Sequence, residues 1–344
     1  MKKRIISLLL VLVTICSLAV VTTGCGKKNA DGEVEQRYAW PLATCSTTDT
    51  ITHVFASNFA RLVGEYSDGA MKIQVYPQSA LGGDRELMES VKDGDIPFVV
   101  MSPAPQVPFM PELCIFDSPC LYADIEDVRL AYNNPEFMDA VRHIYDKAGY
   151  QILGLADQGY RVMTTNYEYN DMSFFKGQKI RTMENAYHIA FWKAVKANPT
   201  PMSFAEVYIG LQQGTIDAQE NAYSLIQSAR LYEQQKYIVE TNAVPDFITL
   251  VASADFMAER TEDEKAIILK AAEEAQQIAC DTADSQREQC KKELEETGMK
   301  IQEIKPDDWT LMQEASQSVY DKIIKVTGQD LFDLYSAVAR EKNK

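Results

Sequence analysis

Beyond residue 37 the apolar positions of the chain switch repeatedly between a spacing of two and a spacing of three to four, the periods of strands and amphipathic helices. Residues 38–44 read as a strand. Residues 49–67 read as a helix, because Ile51, Val54, Phe55, Phe59, Leu62 and Val63 share one face. The Asp68-Gly69 turn leads into Met71, Ile73 and Val75, whose alternation predicts a half-buried strand. A loop with two glycines over 79–85, a short helix over 86–93 closed at Gly94 and a strand over 97–102 follow. After a proline-rich loop over 103–122, helices are expected over 125–132 and 135–148, then one buried strand through QILGLADQGYRVMTTN.

The second half repeats the alternation on a smaller scale. A strand ends at Arg181, a helix covers 186–195, a capped helix starts at Ser203, a strand runs to Asn221, a helix covers 225–233, and a last strand spans 246–254. Strands interleaved with helices predict an α/β protein with mainly parallel sheets. Thr261 with Glu264 three residues later is a capping box that opens a long helix, and Gly298 closes it. At 1.5 Å per residue the roughly 37 residues between them span about 55 Å, so this helix should run along two domains and brace them. A final amphipathic helix is expected over 307–326.

The amino end has a different pattern. Lys2, Lys3 and Arg4 precede an apolar run over 5–21 and then Thr22-Thr23-Gly24-Cys25, which reads as a signal peptide over 1–24. A cysteine after a small residue resembles the lipobox of bacterial lipoproteins, with Thr22 where an aliphatic residue is usual; Cys25 is therefore the expected lipidation site. Residues 25–36 read as a flexible tether, which would leave the protein lipid-anchored on the outer face of the cytoplasmic membrane.

The 344 residues carry a net charge of −16, and loss of Lys2, Lys3 and Arg4 with the signal takes it to −19. Such a surface repels phosphate backbones, so no nucleic acid is expected as a partner, and any anionic ligand needs a local cationic site. Cys45, Cys114, Cys120, Cys280 and Cys290 are an odd number, so at least one is unpaired within the chain. Cys114 and Cys120 could bridge or remain small buried thiols. Neither these cysteines nor His53, His143 and His188 have the spacing of a zinc site, and no metal or cofactor is expected. No nucleophile elbow or dinucleotide loop is present, which argues against an enzyme.

Within 177–221, Arg181 closes a short alternation and Asn221 closes a strand. A planar guanidinium and a neutral amide can together hold a small carboxylate. The stretches YPQSALGGDRELMESVKDGDI, GYRVMTTN followed by FKGQKIRTMEN, and SFAEVYIGLQQGTIDAQEN resemble the solute receptors of tripartite ATP-independent periplasmic (TRAP) transporters, of the dicarboxylate-receptor type. The resemblance covers nearly all the chain after the tether. It implies a two-lobed, periplasmic-binding-protein-like fold with a hinged cleft and the long helix spanning both domains. Domain I would comprise 37–157 and 247–285, and domain II 158–246 and 286–344.

By the same resemblance Arg181 forms a two-pronged ion pair with a ligand carboxylate, Arg161 assists, Asn221 completes the shell and Phe204 packs on the ligand as the cleft closes. Thr44, at the end of the first strand, and Asp84, in GGDRE, are the candidates from the first domain, because loops at strand carboxyl ends line such clefts. An acidic residue suits hydroxyls and repels a second carboxylate, which favours a sugar acid such as a uronate over a four-carbon dicarboxylate. The implied partners are membrane permease subunits, and the receptor itself should be a monomer. A receptor for an ABC importer shares the two lobes but lacks the paired arginine segments.

Overall fold

The computed structural model describes residues 39–342, so the signal, Cys25 and the tether lie outside the described residues. The strands are β1 (Trp40–Ala43), β2 (Ile73–Tyr76), β3 (Phe98–Met101), β4 (Tyr150–Tyr160), β5 (Val162–Thr165), β6 (Lys179–Thr182), β7 (Asn198–Pro201), β8 (Ala218–Asn221), β9 (Tyr237–Glu240), β10 (Pro245–Ser253) and β11 (Lys300–Glu303). They form two sheets, ordered β2-β1-β3-β10-β4 and β11-β9-β5-β8-β6-β7. Each sheet carries one lobe.

Both sheets are mixed rather than mainly parallel. β1, β2 and β3 run parallel, but β10 is antiparallel to both β3 and β4. In the other sheet β5 opposes β8 and β9 while β6, β7 and β8 are parallel. The reason is the chain path: β4 and β10 are the strands by which the chain leaves and re-enters the first lobe, and they pair with each other. The run expected as one strand through 165 is accordingly two, one in each sheet. Gly159 sits at this passage with φ +84, a conformation open to glycine at little strain.

Helix Ile51–Tyr66 is capped by Thr50, whose hydroxyl accepts from the His53 amide at 3.2 Å. Phe55 and Phe59 are fully buried on its inner face, each contributing roughly 2 kcal/mol of burial. Helix Glu262–Glu296 is the longest, with the expected Thr261–Glu264 capping box in place. Its Ile268, Ala271, Ala272, Ala275, Ala279 and Ala283 pack into the first lobe's core, while Cys290 and Leu294 pack with Val162, Ile226 and Ile238 of the second. Small residues in the first half let it approach β4 closely: a Cβ on Gly154 would meet the Phe55 ring at 2.8 Å and Gln276 Oε1 at 2.9 Å.

The carboxyl-terminal helices return across the molecule. Helix Pro306–Thr327 packs on the 3-10 turn Pro111–Asp117 and on helix Ala186–Ala194, and helix Gln329–Lys342 packs on helices Ile125–Tyr132 and Pro135–Ala148. Tyr335 is the anchor of the last contact, stacked on Phe137 at 5.0 Å. The helix expected over 225–233 instead ends at Ser228, because Arg230 takes φ +55 and a 3-10 turn follows. Among the described residues no helix is long and apolar enough to cross a membrane.

Candidate ligand-binding site

A cavity of about 540 Å³ opens between segments of the two lobes. One wall is Cys45 after β1, Ser79 and the start of helix Asp84–Asp93; the other is the end of β6 and the turn from Pro201 to Glu206. The second wall owes its form to local sequence. Ser203 and Glu206 cap each other, which fixes the 3-10 turn Phe204–Glu206 and leaves Phe204 half-buried on the cavity. β6 lies between β7 and β8, with Arg181 opposite Thr200 on one side and Gln219 on the other.

Arg181 is 2% exposed. Its Nε donates to the Met202 carbonyl at 2.9 Å, and its Nη1 is buried without any partner. Burial, then the nearby charge of Arg161, lowers its pKa to about 10, offset by Glu220 and Asp84. A buried guanidinium with an unused donor is an unsatisfied cationic site. Asp84 faces the same cavity, half-buried; burial raises its pKa, and a hydrogen bond from Cys45 together with Arg181 opposes the rise. Burial and Asp84 push the Cys45 thiol far up, so it stays neutral.

Arg161 is placed differently. It is buried and does not line the cavity. Its Nε donates to Glu220, its Nη1 to Asp246 at 2.9 Å, and its Nη2 to the Glu220 carbonyl and to Asn221 Oδ1 at 3.0 Å. Asn221 in turn donates to Gln219. Protein groups thus take up most of the donors of Arg161 and one of the two amide N–H groups of Asn221. Although burial opposes it, Arg161 and His188 hold the Glu220 pKa down at about 2. Thr44 is buried too, its hydroxyl accepting from the Ser46 amide at 3.2 Å in a turn below Cys45 in sequence, outside the cavity lining. Of the six expected contacts, Arg181, Phe204 and Asp84 meet at the cavity; Arg161 and Asn221 meet each other beside it.

His188, Glu220, Asp246 and Asp117 were not among the expected residues. Glu220 carried a legible signal, a carboxylate in a strand between Ala218 and Ala222 that had to be paired if buried. His188 and Asp117 gave none, being 71 residues apart. The five described cysteines are free thiols; burial raises Cys114 and Cys120 to about 12. Among the described residues no group of three or more His, Cys, Asp or Glu is placed to hold a metal ion.

Two lobes and a cavity between their segments, with a buried and unpartnered guanidinium donor on its wall, fit a receptor for a small anion. The family model described as bacterial extracellular solute-binding protein, family 7, matches residues 42–326, and the chain belongs to this family, the solute receptors of TRAP transporters. It is a receptor and not an enzyme. It is 28% identical over 308 residues to the ectoine/5-hydroxyectoine-binding periplasmic protein UehA of Ruegeria pomeroyi, covering 87% of this chain and 89% of that one. The sugar acid binding protein DctPAm of Advenella mimigardefordensis, solved with galactonate, superposes with TM-score 0.84 at 26% identity over 88% of this chain and 98% of that one. A TRAP periplasmic solute-binding protein of Polaromonas, bound to D-erythronate, gives TM-score 0.82 at 28% identity over 87% and 98%.

Proposed function

We propose that this receptor binds a sugar acid, an aldonate or uronate, by closing its two lobes over it and delivers it to TRAP permease subunits in the membrane. The observation that carries the reading is the buried, unpartnered Nη1 of Arg181 on the cavity wall. In this reading the carboxylate forms a two-pronged pair with Arg181, and Phe204 covers the ligand. Asp84 accepts hydrogen bonds from hydroxyls and disfavours a second carboxylate. Arg161 and Asn221 act from behind, as the support of the strand next to Arg181, while Thr44 shapes the loop before the cavity. The galactonate and erythronate bound by two similar structures are polyhydroxy monocarboxylates, in keeping with this division of labour.

Domain I takes the first sheet and domain II the second, with residues 37–157 and 247–285 against 158–246 and 286–328; the last helix, expected in domain II, packs on helices of domain I and is assigned there. In this reading one moves on the other at the β4–β5 and β9–β10 passages. Cys25 would carry the lipid that keeps a monomeric receptor near its permease. Calorimetry with D-galactonate, D-galacturonate, succinate and ectoine tests the substrate class: tight binding of a sugar acid and much weaker binding of succinate is expected. Preference for succinate or ectoine would overturn it.

A further inference from the structure

His188, near the start of helix Ala186–Ala194, is 2% exposed and lies between two carboxylates from distant parts of the chain. Its Nε2 is 3.0 Å from Asp117 Oδ1, and its Nδ1 is 3.6 Å from Glu220 Oε1. The Nδ1 contact is an ion-pair distance, longer than a hydrogen bond, and neither Nδ1 nor Glu220 Oε1 has a hydrogen-bond partner. A neutral imidazole would turn a lone pair toward one of the two carboxylates, whereas the imidazolium faces both with an N–H. The remaining capacity of the carboxylates is directed elsewhere. Asp117 Oδ2 accepts from Asn185 Nδ2 at 2.7 Å, and Glu220 Oε2 accepts from Arg161. Asn185 also caps its own helix, accepting from the amides of Tyr187 and His188, so the same residue fixes the backbone of His188 and holds Asp117. The contacts run from Asp117 through His188, Glu220 and Arg161 to Asn221 at the end of β8, the strand that pairs with β6.

We propose that His188, as the imidazolium, is a positioning residue for ligand binding: by bridging Asp117 and Glu220 it fixes Arg161, Asn221 and the strand against which Arg181 presents its free donor. The proposal rests on the reading that Arg181 holds the ligand carboxylate.

The charged groups facing the ring are Asp117 from the 3-10 turn and Glu220 from β8. Behind Glu220 stand Arg161 and Asp246, and Arg181 is on the adjoining strand. Burial opposes the charged ring, but Asp117 and Glu220 raise its pKa to about 9. Because the folded value lies above the ordinary 6.5, the contribution is complete below 6.5 and is lost as pH rises through about 9.

The full chain has three histidines, so ring-nitrogen NMR resolves this one. Both nitrogens of His188 should carry protons up to about pH 9, and galactonate affinity by calorimetry should fall as the ring deprotonates. His188→Gln should bind about tenfold more weakly at pH 7 and lack that fall. A neutral His188 at pH 7 overturns the proposal. So does a His188→Gln protein that melts earlier yet keeps wild-type affinity and pH profile. Should wild type bind no sugar acid, the substrate reading fails separately, and the Nε–H resonances of Arg161 and Arg181 still decide: they should move in His188→Gln, and unmoved signals refute the positioning role.

Discussion

Replacement of Arg181 by Met removes the cation and keeps most of the side-chain volume, so it separates binding from folding. In the unliganded protein the guanidinium has one hydrogen bond, from Nε to the Met202 carbonyl, and a buried Nη1 with none. Losing the Nε bond costs about 1–3 kcal/mol, while removing a buried charge that lacks a paired anion offsets a similar amount. Stability without ligand should therefore change by no more than about 2 kcal/mol. A two-pronged pair to a ligand carboxylate contributes two charge-assisted bonds of about 1.5–3 kcal/mol each. Loss of at least about 3 kcal/mol is about 150-fold in affinity. In a thermal-shift assay with sugar acid at 100 times the wild-type dissociation constant, wild type gains about 2.7 kcal/mol and the variant about 0.3 kcal/mol. Arg181→Lys keeps the charge without the fork and should fall between the two. Unchanged calorimetric affinity in Arg181→Met would sink the site assignment. Collapse of the unliganded fold would show instead that Arg181 is structural.

Glu220→Gln leaves Arg161 and His188 buried beside a weaker partner and should destabilise the protein by about 3 kcal/mol in urea titration. Since Glu220 is held at about 2 against an ordinary 4.5, its contribution is present above 4.5 and lost as pH falls toward 2; that acid-side slope should be shallower in the variant. Asp84→Asn should raise succinate affinity about fivefold by removing a facing carboxylate, as competition calorimetry would record. Gly154→Ala forces a methyl against Phe55 and Gln276 and should cost about 1–3 kcal/mol with ligand affinity intact. Cys25→Ser should move the protein from the membrane fraction to the soluble fraction on cell fractionation, and retention on the membrane would exclude an anchor at that residue.

The elements built on local signals were legible. The Thr261–Glu264 box and the cap at Ser203 appear where the residue types put them, because a cap is a contact between residues three apart. β7, NPTP, was not read, since two prolines mask a strand until a neighbour supplies its partners. β9 and β11, YIVE and KIQE, pair in parallel across more than sixty residues, and four residues give too short a pattern to stand out. The direction of β10 was likewise invisible, because it is set by pairing with β4 and not by its own sequence.

The site shows the same limit at the level of single side chains. Arg161 and Arg181 are alike in sequence terms, each a guanidinium in a strand-rich stretch, and a resemblance between families assigns both to one carboxylate. Their chemistry diverges only when pairing is known. Arg161 meets Glu220, Asp246 and Asn221, has its charge paired with two carboxylates and lies off the cavity lining, whereas Arg181 meets one carbonyl and keeps a buried donor free. Two adjacent cations in a buried place repel each other, and here the carboxylates are drawn to one of them. That division makes physical sense for a receptor: Arg161, already neutralised, adds little repulsion in the empty state, and Arg181 remains the one whose charge an incoming carboxylate can satisfy. Under the proposed function, placing Glu220 against Arg161 is therefore what would reserve Arg181 for the ligand. The double variant Arg161→Gln/Glu220→Gln should accordingly keep more ligand affinity than Arg161→Gln alone, in which Glu220 is free to pair with Arg181. If the double variant binds no better than the single one, the reservation argument fails.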